Sequence, residues 1–141
     1  MFKVREPKEV VKDALEVARN LFNKEKYKET EIVCQQIVKV DPDSSEAFQV
    51  LGLAQYQQQK YPEALTIFQE CIEKYPDIAE NYNNLALCHS CLGDYDAAIA
   101  NLTTAEALDP DSPIYRNNIG FQYRRMQKPL EAITWFENSL N

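Results

Sequence analysis

Apolar residues recur at spacings of three and four along the first part of the chain, which is the pattern of an amphipathic helix. They are Val10, Val11, Ala14, Val17, Ala18 and Leu21. The stripe predicts a helix from about Pro7 to Asn23, and proline suits the first helical position because its missing N–H would be unpaired there anyway. A second stripe predicts another helix over about residues 28–40, which the turn-forming residues 41–43 bring to an end.

Two landmarks then repeat along the chain at intervals of 34 residues. One is a tyrosine at the start of a second helix, and the other is a proline that closes the unit. They are Tyr27, Tyr61 and Tyr95, and Pro42, Pro76 and Pro110. A fixed period in the range of about 20–50 residues is typical of architectures that stack one supersecondary unit. It predicts further helices near residues 45–58, 62–75, 79–92, 95–108, 113–126 and 129–141.

We therefore predict an all-α fold, an α-solenoid of four antiparallel helix pairs that form one continuous domain. Each pair buries only part of its apolar surface alone, so neighbouring pairs must stack to be stable. The predicted parts are a lead-in to the first helix at residues 1–10 and repeats at 11–44, 45–78, 79–112 and 113–141, the last of them incomplete. Because these repeats nearly fill the 141 residues, we predict no catalytic domain and no enzyme activity.

Charge and composition narrow the range of partners. The formal net charge is −7, whereas nucleic acids and anionic membranes select a basic face. We therefore expect a protein or peptide partner, with neither nucleic acid nor membrane, and no cofactor. The first residues lack the apolar run and cleavage site of a secretory signal, and no run approaches the roughly 18 apolar residues of a membrane span. The expected location is the cytoplasm.

A Cys-x-x-Cys spacing at residues 88–91 is the one motif with the spacing of a reactive site. A zinc site would need a second pair of ligands, and His89 is the single histidine of the chain. The attacking thiol of a redox pair usually lies at a helix start, whereas these cysteines fall late in a predicted helix. Cys34 and Cys71 are predicted to face the core as small apolar residues. We expect reduced structural thiols and no metal.

The residues at fixed phases of the period resemble the tetratricopeptide repeat family. In the repeat at 45–78 they are Phe48, Leu51, Gly52, Ala64, Phe68 and Pro76, and in the repeat at 79–112 they are Tyr82, Leu85, Ala86, Gly93, Tyr95, Ala98, Leu102, Ala105 and Pro110. The last repeat departs at Arg116, where the family has a large residue, and at Pro129, where it has a tyrosine. The resemblance covers about residues 11–141 and implies a right-handed superhelix whose first helices line a concave, ligand-binding groove.

Carrying that groove over by phase gives a row of side-chain amides. Asn84 and Asn118 lie one period apart, and the amides beside them are Gln49, Asn83 and Asn117. A primary amide offers both a donor and an acceptor, so a column of amides can pair with successive peptide groups of an extended chain. The row is similar to the asparagine ladder in the repeat domain of protein O-linked N-acetylglucosamine transferases.

A second row at the same spacing is apolar and consists of Leu53, Leu87 and Phe121, which could accept apolar anchors of a ligand. Further groove positions are Tyr56, Arg124 and Arg125. The two arginines could hold an acidic side chain or a terminal carboxylate at one end. The competing interpretation of both rows is an ordinary solvated surface with apolar residues packed inside each helix pair.

The leading hypothesis is a protein-interaction module that binds an extended or helical peptide of a partner protein in this groove. The alternative is a scaffold unit that associates with another copy, or with further repeats, through an apolar C-terminal end. The residues expected at that end are Ile133, Trp135, Phe136 and Leu140. A third hypothesis is the substrate-docking part of an enzyme whose catalytic domain lies elsewhere.

Overall fold

A computed structural model describes residues 3–141 of the chain, so residues 1–2 of the predicted lead-in lie outside it. The described residues form eight α-helices and no β-strand, which confirms the all-α fold of paired helices. The helices are α1 (Pro7–Asn23), α2 (Tyr27–Val40), α3 (Ser45–Gln57), α4 (Tyr61–Lys74), α5 (Ala79–Cys91), α6 (Tyr95–Leu108), α7 (Pro113–Arg125) and α8 (Pro129–Ser139). The predicted ends differ from these by at most two residues.

The helices group into two compact units. The first unit covers the described residues up to Ile67 and holds α1, α2, α3 and the start of α4. The second unit spans residues 68–141 and holds the rest of α4 and the helices α5 to α8. The division therefore falls inside a helix rather than in one of the turns between the predicted repeats.

The core of the first unit is built from residues of α1, α2 and α3. Its buried members are Val11, Ala18, Cys34, Ile37, Ala47 and Leu51. Ala18 and Ala47 are fully buried, and their small side chains allow helix backbones to approach closely. Polar side chains connect α2 to the turn after α3. The Glu31 carboxylate accepts a 2.6 Å hydrogen bond from the Gln58 amide and lies 3.2 Å from the Lys60 ammonium.

The core of the second unit is built from α5, α6 and α7, with Trp135 of α8 packed against it. Its buried members are Ala86, Ala98, Leu102, Ala105, Tyr115 and Ile119. Helices α7 and α8 approach each other closely at Gly120. A Cβ atom placed on Gly120 would lie 2.6 Å from Cε1 of Phe136, so this position has no room for a side chain.

The turn inside each helix pair has a residue with left-handed backbone geometry. These residues are Glu25, Gln59, Gly93 and Gln127, with φ between 60° and 83°. In each turn the next amide donates to the carbonyl five residues before it, as from Lys60 to Gln55, which is the Schellman helix end. The left-handed residues are one period apart, so the backbone repeats even where the side chain is not glycine.

The apolar side chains at the C-terminal end are partly packed and partly exposed. Trp135 packs on the core, and the Phe136 ring meets the Phe121 ring edge to face at 5.1 Å between centroids. Ile133 and Leu140 are exposed as expected, and Leu130 joins them. Of the four apolar residues expected at this end, the two aromatic ones are therefore packed and the two aliphatic ones are exposed.

The close approach of α7 and α8 generates a stability prediction. Gly120→Ala should lower the free energy of unfolding by about 1–3 kcal/mol because the new methyl group overlaps the Phe136 ring. Alanine is otherwise the better helix former by about 1 kcal/mol. In a Phe136→Leu background, which removes the ring, the same change should cost less or become stabilising. Urea denaturation of the four proteins measures this coupling, and an equal cost in both backgrounds would contradict it.

Candidate functional site

In the second unit, the first helices of the two pairs are joined by polar side chains. Asn118 Nδ2 on α7 donates to Asn83 Oδ1 on α5 at 2.8 Å, and Arg125 Nη1 donates to Ser90 Oγ at 2.8 Å. Both pairs are separated by 35 residues in sequence. In both pairs, therefore, a residue of α5 contacts the α7 residue 35 positions later, which is one position more than the 34-residue period. The two bonds are seven residues apart on each helix, or about 10 Å along the helix axis.

The Asn83–Asn118 pair keeps hydrogen-bonding capacity for a ligand. Their mutual bond uses one N–H of Asn118 and one lone pair of Asn83. The amide nitrogen of Asn83 and the amide oxygen of Asn118 remain, and both residues are half-buried rather than enclosed. A donor and an acceptor side by side complement the C=O and N–H of a peptide group.

Asn84, predicted as a rung of the amide row, lies deeper than Asn118. Only 5% of Asn84 is exposed, and its Nδ2 has no hydrogen-bond partner among residues 3–141. Asn117 and Leu87 are half-buried. The two asparagines at the same phase of the period therefore have different environments, and the hydrogen-bonded pair is formed by Asn118 with Asn83.

An aromatic ring and two cations follow on α7. Phe121 is exposed, and the Arg124 guanidinium carbon lies 5.7 Å from the centre of its ring, within cation–π range. Arg124 and Arg125 are exposed, while the Ser90 hydroxyl fixes the position of the Arg125 side chain. The sequence placed these three residues on one face but gave no partner for Arg125. The phase of the repeat places Ser90 in the groove, but its bond to Arg125 follows only from the 35-residue offset.

In the first unit, α1 and α3 present the corresponding positions. Leu53 lines a small cleft of about 100 Å³ together with Arg19, Phe22, Asn23 and Val50. Arg19 forms an ion pair with Glu46 across the two helices. Small-molecule pockets usually exceed about 300 Å³, so this cleft has the size of a site for a single side chain.

The other two predicted residues of the first unit are Gln49 and Tyr56, and both are half-buried. The Tyr56 ring packs edge to face against Tyr61 at 5.4 Å between centroids. Tyr56 thus contributes to packing within the helix pair as well as to the face that α3 presents.

The cysteines are placed as core residues rather than as reactive groups. Cys34, Cys71 and Cys88 are buried, and Cys91 is half-buried. Burial raises the pKa of the Cys34 and Cys88 thiols to about 12 and that of Cys71 to about 11. No group of three or more His, Cys, Asp or Glu side chains with metal-binding geometry occurs in residues 3–141.

This burial predicts the reactivity of each thiol, because the thiolate is the species that reacts. In the native protein near pH 8, Cys34, Cys71 and Cys88 should resist a thiol reagent such as dithionitrobenzoate, while Cys91 reacts first. In urea all four should react. Peptide mapping by mass spectrometry assigns the labels, and rapid native labelling of Cys88 would contradict its place in the core.

The helix pairs and their fixed period define the class of the protein as a helical-repeat protein. The family model described as tetratricopeptide repeat matches residues 18–79 and 50–113, which together make up more than half of the chain. The chain belongs to the tetratricopeptide repeat family, as its residue pattern indicated. This fold is generally that of a protein–protein interaction module.

Similar solved structures include several forms of the protein MamA. One MamA crystal structure is 22% identical, with a TM-score of 0.85, and the match covers 92% of this chain and 76% of that one. MamA from Desulfovibrio magneticus RS-1 is 21% identical, with a TM-score of 0.86 and coverage of 92% and 73%. MamA AMB-1 is 25% identical, with a TM-score of 0.75 and coverage of 92% and 70%. At these identities the likeness establishes the fold.

No curated protein matches the chain in sequence. None of the helices within residues 3–141 combines the length and apolar character needed to cross a bilayer.

Proposed function

We propose that the chain is an interaction module that binds an extended peptide segment of a partner protein on the face formed by α5 and α7. The observation that carries the proposal is the Asn83–Asn118 pair, which leaves a donor and an acceptor on that face. An extended peptide presents a C=O and an N–H from each residue, so the pair can bind backbone without reading a side chain.

The spacing of the face indicates what the peptide should contain. From the Asn83–Asn118 pair to the Arg125–Ser90 pair is about 10 Å along the helices, which is about three residues of extended chain. Leu87 and Phe121 lie between these two points in sequence. The proposed ligand is therefore an extended segment with an apolar residue followed, about three residues after the bound peptide group, by a carboxylate for Arg124 and Arg125.

The proposal extends to the remaining predicted contacts. Gln49, Leu53 and Tyr56 are proposed to contact peptide in the first unit, with the cleft at Leu53 receiving one apolar side chain. Asn84 and Asn117 are proposed to support the bonded pair beside them. A cytoplasmic location is also proposed, since buried free thiols suit a reducing compartment.

The test is a pull-down with mass spectrometry, followed by calorimetry on overlapping peptides of the captured partner. The double variant Asn83→Ala and Asn118→Ala should weaken peptide binding about fivefold or more, because each of the two lost hydrogen bonds contributes about 0.5–1.5 kcal/mol. Asn101→Ala is the matched control, since Asn101 donates to the Ala97 carbonyl within α6 and lies on a second helix. Unchanged affinity in a correctly folded double variant would reject the site.

A second candidate function is self-association through the exposed apolar side chains of α8 and of Leu140, which directly follows this helix. Leu130, Ile133 and Leu140 are all exposed, and 86% of Leu140 is accessible to solvent. An exposed apolar patch of this kind often marks an interface. It favours a scaffold unit whose copies associate through this helix.

Charged substitutions separate the two candidates. Ile133→Lys with Leu140→Glu should convert an oligomer to a monomer in sedimentation equilibrium while leaving peptide affinity unchanged. Leu92→Glu, at an exposed apolar residue just after α5, is the control for added charge. A wild-type chain that stays monomeric at about 100 μM, a concentration at which contacts of modest affinity form, would reject self-association.

A further inference from the structure

A cavity unrelated to the predicted peptide contacts lies in the second unit, between the end of α6 and the helices α7 and α8. Its volume is about 520 Å³, within the usual range of about 300–1,000 Å³ for ligand sites. The side chains that define its chemistry are Glu106, Asp111, Arg116, Trp135 and Asn138. None of them was among the predicted site residues.

The cavity wall favours a positive charge. Helix α6 ends at Leu108, and the carbonyl end of a helix carries a partial negative charge. The carboxylates of Glu106 and Asp111 lie on either side of that end in sequence and both line the cavity.

Arg116 already holds a guanidinium group in this environment. Its Nη1 donates to the Pro110 carbonyl at 2.8 Å and lies 3.5 Å from Glu106 Oε1. One period earlier, the Tyr82 hydroxyl makes the same bond to the Pro76 carbonyl at 2.9 Å. Arg116 thus replaces a phenol as the structural donor, and its charge compensates that of Glu106.

One group in the cavity remains without a complement. Asp111 is exposed and has no ion-pair partner among residues 3–141. Arg116 Nε also has no hydrogen-bond acceptor in the same part of the chain, but it is buried and out of a ligand's reach. A ligand that brings a cation would complement Asp111, and a basic residue within a peptide carries this charge.

Trp135 supplies an aromatic surface for a cation, since it lines the cavity and is only partly buried. A guanidinium or ammonium group binds well over an indole face, where the ring attracts the cation. We propose that this cavity binds the cationic side chain of an arginine or lysine in a partner peptide, with the cation between Trp135 and Asp111. The site is separate from the Asn83–Asn118 face and does not depend on its function.

The chain contains a single tryptophan, so its fluorescence reports directly on this cavity. The experiment titrates the protein with the blocked tripeptides Gly-Arg-Gly and Gly-Lys-Gly and with a Gly-citrulline-Gly control of the same shape without charge. The cationic peptides should give a saturable change in Trp135 emission, and citrulline should give none. Equal responses to arginine and citrulline, or no saturable response, would overturn the proposal.

Matched variants test whether the cationic peptides bind at this cavity. Asp111→Asn should lower the affinity for the cationic peptides about threefold or more. Asp77→Asn removes the same charge one period earlier and should leave that affinity unchanged. Asn138→Asp should tighten binding, a gain that misfolding cannot produce. Equal weakening by the two Asp variants, or no tightening by Asn138→Asp in a folded protein, would refute a specific site.

Discussion

The packing of small residues between paired helices is the constraint on which the rest of the structure depends. Gly120 has no space for a Cβ beside Phe136, and Ala86 and Ala98 are fully or almost fully buried. A larger side chain at any of these positions would push the helices apart, because protein interiors are packed too densely to absorb it. Small residues recur in the sequence with a 34-residue period because each helix pair has this requirement.

Close packing within each pair also fixes which side chains meet between pairs. In the second unit the rule is a 35-residue offset, shown by the bonds from Asn118 to Asn83 and from Arg125 to Ser90. These bonds hold the polar groups of α5 and α7 in place. The proposed peptide-binding face is therefore ordered in advance, which lowers the conformational entropy lost on association.

The sequence alone predicted the eight helices and their pairing, because periodic apolar residues and turn-forming prolines report directly on local structure. It did not predict the left-handed residues Glu25, Gln59 and Gln127, since only Gly93 carries the residue type that favours this geometry. The backbone of the helix end imposes that conformation on other residues.

The site was less accessible to prediction than the fold. Phase within the repeat placed Asn84 and Asn118 on equivalent positions, but burial depends on the neighbouring helices, and these differ for α5 and α7. Likewise, Arg116 was visible as a departure from the family pattern, whereas the cavity beside it results from the arrangement of three helices. The burial of Asn84 and the cavity beside Arg116 both depend on contacts between helices. The pattern of residues along the sequence contains only indirect information about such contacts.

The most direct measurement is the NMR chemical shift of the side-chain amides during titration with a peptide from the captured partner. If the α5 and α7 face binds backbone, the Asn83 and Asn118 amide signals should shift as the peptide saturates the protein, while the Asn101 signals stay in place. Saturable binding that moves Asn101, or other signals remote from α5 and α7, and leaves Asn83 and Asn118 unchanged would contradict binding at this face.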